Sequence, residues 1–233
     1  MSPEGSEPEA KPTVFGVILA RNEAHTVGEI VRAAKPFVDQ VVVVDGHSTD
    51  ATREIAQREG ARVVLDHGRG KGDGIRTAID LLDAEILVFL DADGSHDPAD
   101  IPRMVAPILD GSHDLVIGSR GRGGSDELHG DLNKLLRMIG SDIILLIINY
   151  RFDVRLTDSQ NGFRAIRRDV GRRLGLREKI TTIEQEMTIK CLKKGFRVGE
   201  IATHEYARRS GRSSIRLGRV WFRYIWSVVK NIF

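Results

Sequence analysis

Between Thr13 and Gly118, five short runs rich in β-branched residues alternate with amphipathic stretches. The runs are Thr13–Ala20, Gln40–Asp45, Ala61–Leu65, Glu85–Leu90 and Asp114–Gly118, and the patterns between them predict helices near 25–35, 50–59, 71–83 and 98–109. Near-continuous apolar strands separated by helices need a covered sheet face on both sides, so the predicted fold is α/β with a mainly parallel central sheet. In such sheets ligands bind outside the carboxyl ends of the strands, which directs attention to the residues just after each run.

Those residues are polar. The first run ends in Arg21-Asn22-Glu23, the second in Asp45-Gly46-His47-Ser48-Thr49-Asp50, the fourth in Asp91-Ala92-Asp93 and the fifth in Gly118-Ser119-Arg120. Helix capping explains part of this, since Ser48, Thr49 and Asp50 precede the helical pattern that begins at Ala51. It does not explain two carboxylates flanking one alanine at a strand end. Side chains at i and i+2 there can both approach a hard divalent cation that phosphate oxygens also hold, the usual arrangement for Mg2+ or Mn2+. Lys71, flanked by Gly70 and Gly72, lets backbone amides and one ammonium approach an anion together.

With its other motifs included, the chain resembles the family 2 glycosyltransferases, and within them the dolichyl-phosphate mannosyltransferase and polyprenyl-phosphate glycosyltransferase branch. The matching stretches are Ala20-Arg-Asn-Glu23, Val43-Val-Asp-Gly-His-Ser-Thr-Asp-Ala-Thr52, Arg69-Gly-Lys-Gly72, Asp91-Ala-Asp93 with His96-Asp-Pro98, Gly118-Ser-Arg120, Asp158-Ser-Gln-Asn-Gly-Phe163, Gly195-Phe-Arg-Val-Gly-Glu200 and Arg208-Arg-Ser-Gly-Arg-Ser213. The resemblance implies the nucleotide-diphospho-sugar transferase (GT-A, Rossmann-like) fold, with Ala20, Asn22, Glu23, Asp45 and Ser48 framing a nucleotide and Lys71 beside it. It also implies Asp91 near ribose and sugar, Asp93 on the metal, and Arg120, Asp158 and Glu186 as further catalytic candidates. Two departures stand out. Gly46 replaces a second acidic residue found in many relatives, and Ser95 occupies a position where mannosyltransferases often carry a Gln ligand. His96 reads as a turn residue or as a metal ligand.

The overall charge of +2 hides a division: residues 1–150 hold 15 basic and 25 acidic side chains, whereas residues 151–233 hold 20 and 8. The basic part suits an anionic partner. A sugar-hydroxyl acceptor needs a general base, whereas a lipid monophosphate is already an anionic nucleophile and needs cations. Arg120, Arg208 and Arg212, with Ser213 as donor, are placed by resemblance or proximity to supply them. A binding role towards nucleic acid would also use basic residues, but no nucleic-acid motif accompanies them, and none is expected as a partner. An inactive scaffold would not need Asp91, Asp93, Arg120 and Arg208 together.

Gly121 through Gly124 suggest a mobile loop, and Leu132–Tyr150 a helix with a strongly apolar face. In Ile215–Phe233, Arg216, Arg219, Arg223 and Lys230 form one helical stripe beside an aromatic and aliphatic face. That pattern suits a lipid headgroup region, the protein's own core or a second subunit. The longest apolar run, Ile143–Ile148, is too short to span a bilayer. The single cysteine, Cys191, reads as a buried small hydrophobe in a reducing compartment.

The expected organisation is therefore a disordered acidic tail (1–12), a glycosyltransferase domain (13–214) and an amphipathic terminal helix (215–233). The expected protein is cytoplasmic, or peripheral on the cytoplasmic face of a membrane. Its expected reaction is inverting transfer of one hexose, mannose or glucose, from a GDP- or UDP-sugar to a polyprenyl or dolichyl phosphate. A soluble or sugar-hydroxyl acceptor, with Glu186 or Asp158 as base, is the alternative.

Overall fold

The computed structural model describes residues 11–126, 132–209 and 217–232. Residues 1–10 of the expected tail, and Arg212 and Ser213, lie outside them. Seven strands form one sheet: β1 (Val14–Ala20), β2 (Gln40–Asp45), β3 (Arg62–Leu65), β4 (Ile86–Asp91), β5 (Leu115–Ser119), β6 (Arg164–Arg167) and β7 (Val198–Ala202). Their order is β3-β2-β1-β4-β6-β5-β7. Strands β1 to β4 pair in parallel, β6 runs antiparallel to both β4 and β5, and β7 is parallel to β5. The ends of β1, β2, β4 and β5 therefore share one edge, as the polar run ends require.

The helices are α1 (Val27–Ala34), α2 (Thr52–Arg58), α3 (Lys71–Leu81), α4 (Ile101–Leu109), the short α5 (Arg120–Gly123), α6 (Leu132–Phe152), α7 (Arg168–Leu174), α8 (Thr182–Lys193) and α9 (Leu217–Ile232). Strand side chains alternate between two cores. Val41, Val43, Ile86, Val88 and Leu90 join the layer with α1, α2 and α4, while Val42, Val44, Leu87 and Phe89 join the layer with α3, α7 and α8. Period-2 alternation with both faces apolar is what makes these strands read as continuous hydrophobic runs.

A third core joins Ile144 and Ile148 of α6 to Ile189 of α8 and to Val228 and Ile232 of α9. The terminal helix thus docks one face on its own domain. Cys191 is buried, and burial pushes its thiol up to about 12. Two strands escape the sequence reading. Strand β6 has four residues with arginine at both ends, and β7 is only half-buried.

Candidate active site

The turns after β1 and β2 are laced together. Gly46 N–H donates to the Ala20 carbonyl at 2.8 Å, and Asn22 N–H donates to Ser48 Oγ at 2.9 Å. Asn22 Oδ1 accepts from Thr49 N–H at 2.8 Å, and Glu23 N–H donates to Thr52 Oγ1 at 2.8 Å. Asn22 adopts a left-handed φ of 58° to make this junction, a conformation Asn tolerates better than most residues. Asp45 is fully buried and accepts from the Ser48 amide at 2.9 Å and from its hydroxyl. Ala20, Asn22, Glu23, Asp45 and Ser48 therefore form one wall, with Asp45 holding the turn from beneath.

Lys71 starts α3, where Gly72 N–H donates to the Lys179 carbonyl at 3.0 Å. A Cβ on Gly72 would collide with the Glu178 carbonyl, so this glycine permits a close approach of two backbones. Lys71 Nζ lies 2.6 Å from Asp91 Oδ1 and 2.8 Å from Glu184 Oε1. Burial alone would raise the Asp91 pKa, but the Lys71 ammonium, with help from His96 and Arg208, overrides it and brings the carboxyl down to about 2. Burial likewise opposes the Lys71 charge, and Asp91 and Glu184 reverse that, raising its pKa above the ordinary value.

The ladder between β4 and β6 pairs Phe89 with Arg164. Continued by two residues, that register brings Gly162 opposite Asp91. A Cβ on Gly162 would stand 2.7 Å from both Asp91 Oδ2 and Lys71 Nζ. The Asp158–Phe163 turn is thus seated directly over the ion pair.

Asp93 Oδ1 accepts from Ser95 N–H at 3.1 Å and from its hydroxyl at 2.6 Å, and Asp93 Oδ2 faces Arg208 Nη1 at 3.3 Å. The segment carrying Arg208 is pinned over this loop by Arg209 N–H to the Asp93 carbonyl (3.0 Å) and Tyr206 N–H to the Ser95 carbonyl (2.9 Å). His96 is buried, with Nδ1 3.4 Å from the Asp91 amide and Nε2 3.0 Å from Asn161 Oδ1. With both ring nitrogens engaged, it ties the β4 turn to the 158–163 turn, as a turn residue would.

The carboxylates of Asp91 and Asp93 are hard oxygen donors that suit a divalent cation, while Arg208 now occupies one Asp93 oxygen. Among the described residues no cluster of three or more His, Cys, Asp or Glu side chains is arranged to hold a metal. A cation here would therefore take its remaining ligands from phosphate and water, as Mg2+ usually does.

Arg120 grips Asp158 with two bonds, Nε at 2.6 Å and Nη2 at 3.0 Å, and its Nη1 lies 3.4 Å from Glu205. Asp158 also accepts from the amides of Gln160 (2.9 Å) and Asn161 (3.1 Å). Burial would raise the Asp158 pKa, but Arg120 and these amides outweigh it and lower it. The glycines after Arg120 permit close contacts. A Cβ on Gly123 would overlap the Thr203 backbone, and Asp126 N–H donates to the Glu205 carbonyl at 2.8 Å.

Glu186 is not among the gathered residues. It accepts from the amides of Arg177 (2.9 Å) and Glu178 (2.8 Å), pairs with Lys190 at 2.7 Å, and closes the segment before α8 onto that helix. Residues two apart on a helix point to different sides, so only one of Glu184 and Glu186 can reach Lys71, and it is Glu184. Their spacing was the available signal. Glu205 and Gly162 were also missed, and their roles depend on contacts distant in sequence.

The family model for Glycosyl transferase family 2 matches residues 17–175. Glycosyltransferase AglJ of Haloferax volcanii is 32% identical over 217 residues, covering 90% of this chain and 70% of that protein. The UDP-N-acetylglucosamine–dolichyl-phosphate N-acetylglucosaminyltransferase of Methanococcus voltae is 25% identical over 244 residues, covering 93% and 96%. Among solved structures, glucosyl-3-phosphoglycerate synthase from Mycobacterium tuberculosis, in complex with Mn2+, uridine diphosphate and phosphoglyceric acid, matches with a TM-score of 0.76 at 23% identity. The match covers 96% of this chain and 79% of that one. The sheet is thus the GT-A arrangement the sequence implied. Because the match to the family model runs from β1 through α7 and takes in all four polar strand ends, this chain belongs to glycosyl transferase family 2.

Proposed function

We propose that the chain transfers one hexose, mannose or glucose, with inversion from a GDP- or UDP-sugar to a polyprenyl or dolichyl phosphate. One observation carries this reading: the carboxylates that a hydroxyl acceptor would need as base are committed to cations. Asp158 is held by Arg120 through both oxygens, and Glu186 by two amides and Lys190. An acceptor that is already anionic needs no base and is oriented by guanidinium groups. The similarity to the Methanococcus voltae enzyme, whose name gives dolichyl phosphate as acceptor, supports the same choice.

In this reading the wall of Ala20, Asn22, Glu23, Asp45 and Ser48 frames the nucleotide, with Lys71 beside the diphosphate and Asp91 near the ribose and sugar. Asp93, with Asp91, would hold Mg2+ or Mn2+, which supplies charge stabilisation to the leaving diphosphate when bound. Arg120 presents its Nη1 edge to the acceptor phosphate, in competition with Glu205, while Asp158 fixes the opposite edge. Arg208 completes the cationic side, with Arg212 and Ser213 assigned there by sequence alone. The phosphate oxygen attacks the anomeric carbon opposite the leaving group.

The test is a screen of radiolabelled GDP-mannose, UDP-glucose and UDP-N-acetylglucosamine against a polyprenyl phosphate, reading label in the organic phase. Mannose or glucose transfer is expected. Label appearing only on a short water-soluble sugar would sink the lipid acceptor.

We further infer that the protein works at the cytoplasmic face of a membrane as a peripheral protein. Nine of the fourteen exposed large hydrophobic side chains among the described residues lie on α6 and α9, among them Leu146, Tyr150, Phe222 and Trp226. Exposed Arg223 and Lys230 flank the α9 face, which suits anionic headgroups. No helix among the described residues is long and apolar enough to cross a membrane.

A further inference from the structure

Two carboxylates on α8 are buried to the same degree but held in opposite ways. Glu186 is satisfied by backbone amides and Lys190. Glu184, whose side chain is 1% exposed, has Lys71 as its ion-pair partner, and its Oε2 has no hydrogen-bond partner. A buried carboxylate oxygen left unpaired is costly to the fold. The fold gains no cap or turn closure from the Glu184 side chain in return; its charge faces the Lys71 ammonium on one side and the buried Arg164 guanidinium on the other.

Lys71 is shared. Its ammonium stands between Asp91 Oδ1 at 2.6 Å and Glu184 Oε1 at 2.8 Å, beneath Gly162, which leaves no room for a side chain over the pair. The ammonium is therefore divided between two carboxylates, with the buried Arg164 guanidinium on the far side of Glu184. Without Glu184, Asp91 would be the one carboxylate paired with the Lys71 ammonium.

We propose that Glu184 is a positioning residue for the cation site: by drawing Lys71 partly off Asp91 it keeps that carboxylate available. The inference rests on the metal assignment to Asp91 and Asp93 made above. It is independent of which acceptor the enzyme uses.

The experiment is titration of the full chain with Mn2+ alone, following free Mn2+ by electron paramagnetic resonance, with thermal melts in parallel. Glu184→Gln keeps the shape and an acceptor oxygen for Lys71 but removes the charge. Its Mn2+ Kd is expected to rise about tenfold, the order expected for loss of one nearby charge in a partly buried site. Glu184→Asp should recover part of that loss. Lys71→Met leaves both carboxylates without the ammonium and should tighten Mn2+ binding, the opposite sign, which decides the matter if Glu184→Gln fails to fold. A Kd within twofold of the parent in folded Glu184→Gln, or unchanged or weaker binding in Lys71→Met, overturns the inference alone. Absence of saturable Mn2+ binding by the parent overturns the metal assignment and this inference with it.

Discussion

Arg208 Nη1 stands 3.3 Å from Asp93 Oδ2, so the strand-end carboxylate read as a metal ligand meets a guanidinium from the segment read as the acceptor side. A cation and Arg208 would then compete for one oxygen, linking donor binding to release of an acceptor arginine. Asp93→Ala should lower transfer by about 10³-fold or more, since several kcal/mol of charge stabilisation depend on it. Circular dichroism should show the fold retained. Full activity of the parent with metal chelated would refute the role.

Acid stability tests the Lys71 and Asp91 pair. Asp91 in the folded chain titrates at about 2, against about 3.9 when unfolded. Its contribution, roughly 2–3 kcal/mol, is complete above about pH 4 and lost as pH falls from there through 2. Lys71 is shifted upward, so its share is complete below the unfolded lysine pKa and fades as pH rises through the folded one. Urea unfolding between pH 2 and 7 should show a shallower pH slope for Asp91→Asn than for the parent. Equal slopes would reject the assignment.

Gly162→Ala introduces a methyl 2.7 Å from both Asp91 Oδ2 and Lys71 Nζ. Overpacking of this kind costs about 1–3 kcal/mol, and the methyl must either displace the ammonium or lift the turn. Steady-state kinetics should show kcat falling by at least tenfold while the protein remains folded. A variant with parental kinetics would mean that the turn does not sit on the working pair.

Membrane contact is checked on the exposed faces, because deleting α9 would also remove Val228 and Ile232 from the third core. Trp226, 58% exposed, and Leu146, 70% exposed, can be changed to serine without opening that core. Each substitution should reduce co-sedimentation with anionic vesicles several-fold at unchanged melting temperature, as expected from about 1.5–3 kcal/mol of apolar transfer per side chain. Binding equal to that of the parent in the double variant would exclude these faces as the contact.

Much of the nucleotide half was legible because its information is local. A run such as Gln40–Asp45 is apolar on both faces of the sheet, and its polar residues come directly at the strand end. The acceptor half depends on long-range partners. Arg164 is fully buried, with Nε donating to the Asn161 carbonyl at 3.0 Å and Nη1 to the Glu184 carbonyl at 2.7 Å. Neither partner is visible in Arg-Ala-Ile-Arg, so β6 did not read as a strand. The same limit applies to Gly121, Gly123 and Gly124, whose close neighbours Thr157, Thr203 and His204 are distant in sequence. It applies again to Glu184 and Glu186, where helical phase decides between two carboxylates.

The reversed strand β6 has one more effect. The partners of Arg164 are Phe89 on one side and Ile117 on the other, so a single pairing choice aligns the turn before β6 with the ends of both β4 and β5. Sliding that strand by one residue would put Asn161 or Phe163 where Gly162 now sits and close the edge. Length between Gly162 and Arg164 is therefore as tightly constrained as the identity of the acids. A one-residue insertion there would break the alignment of that turn with the ends of β4 and β5.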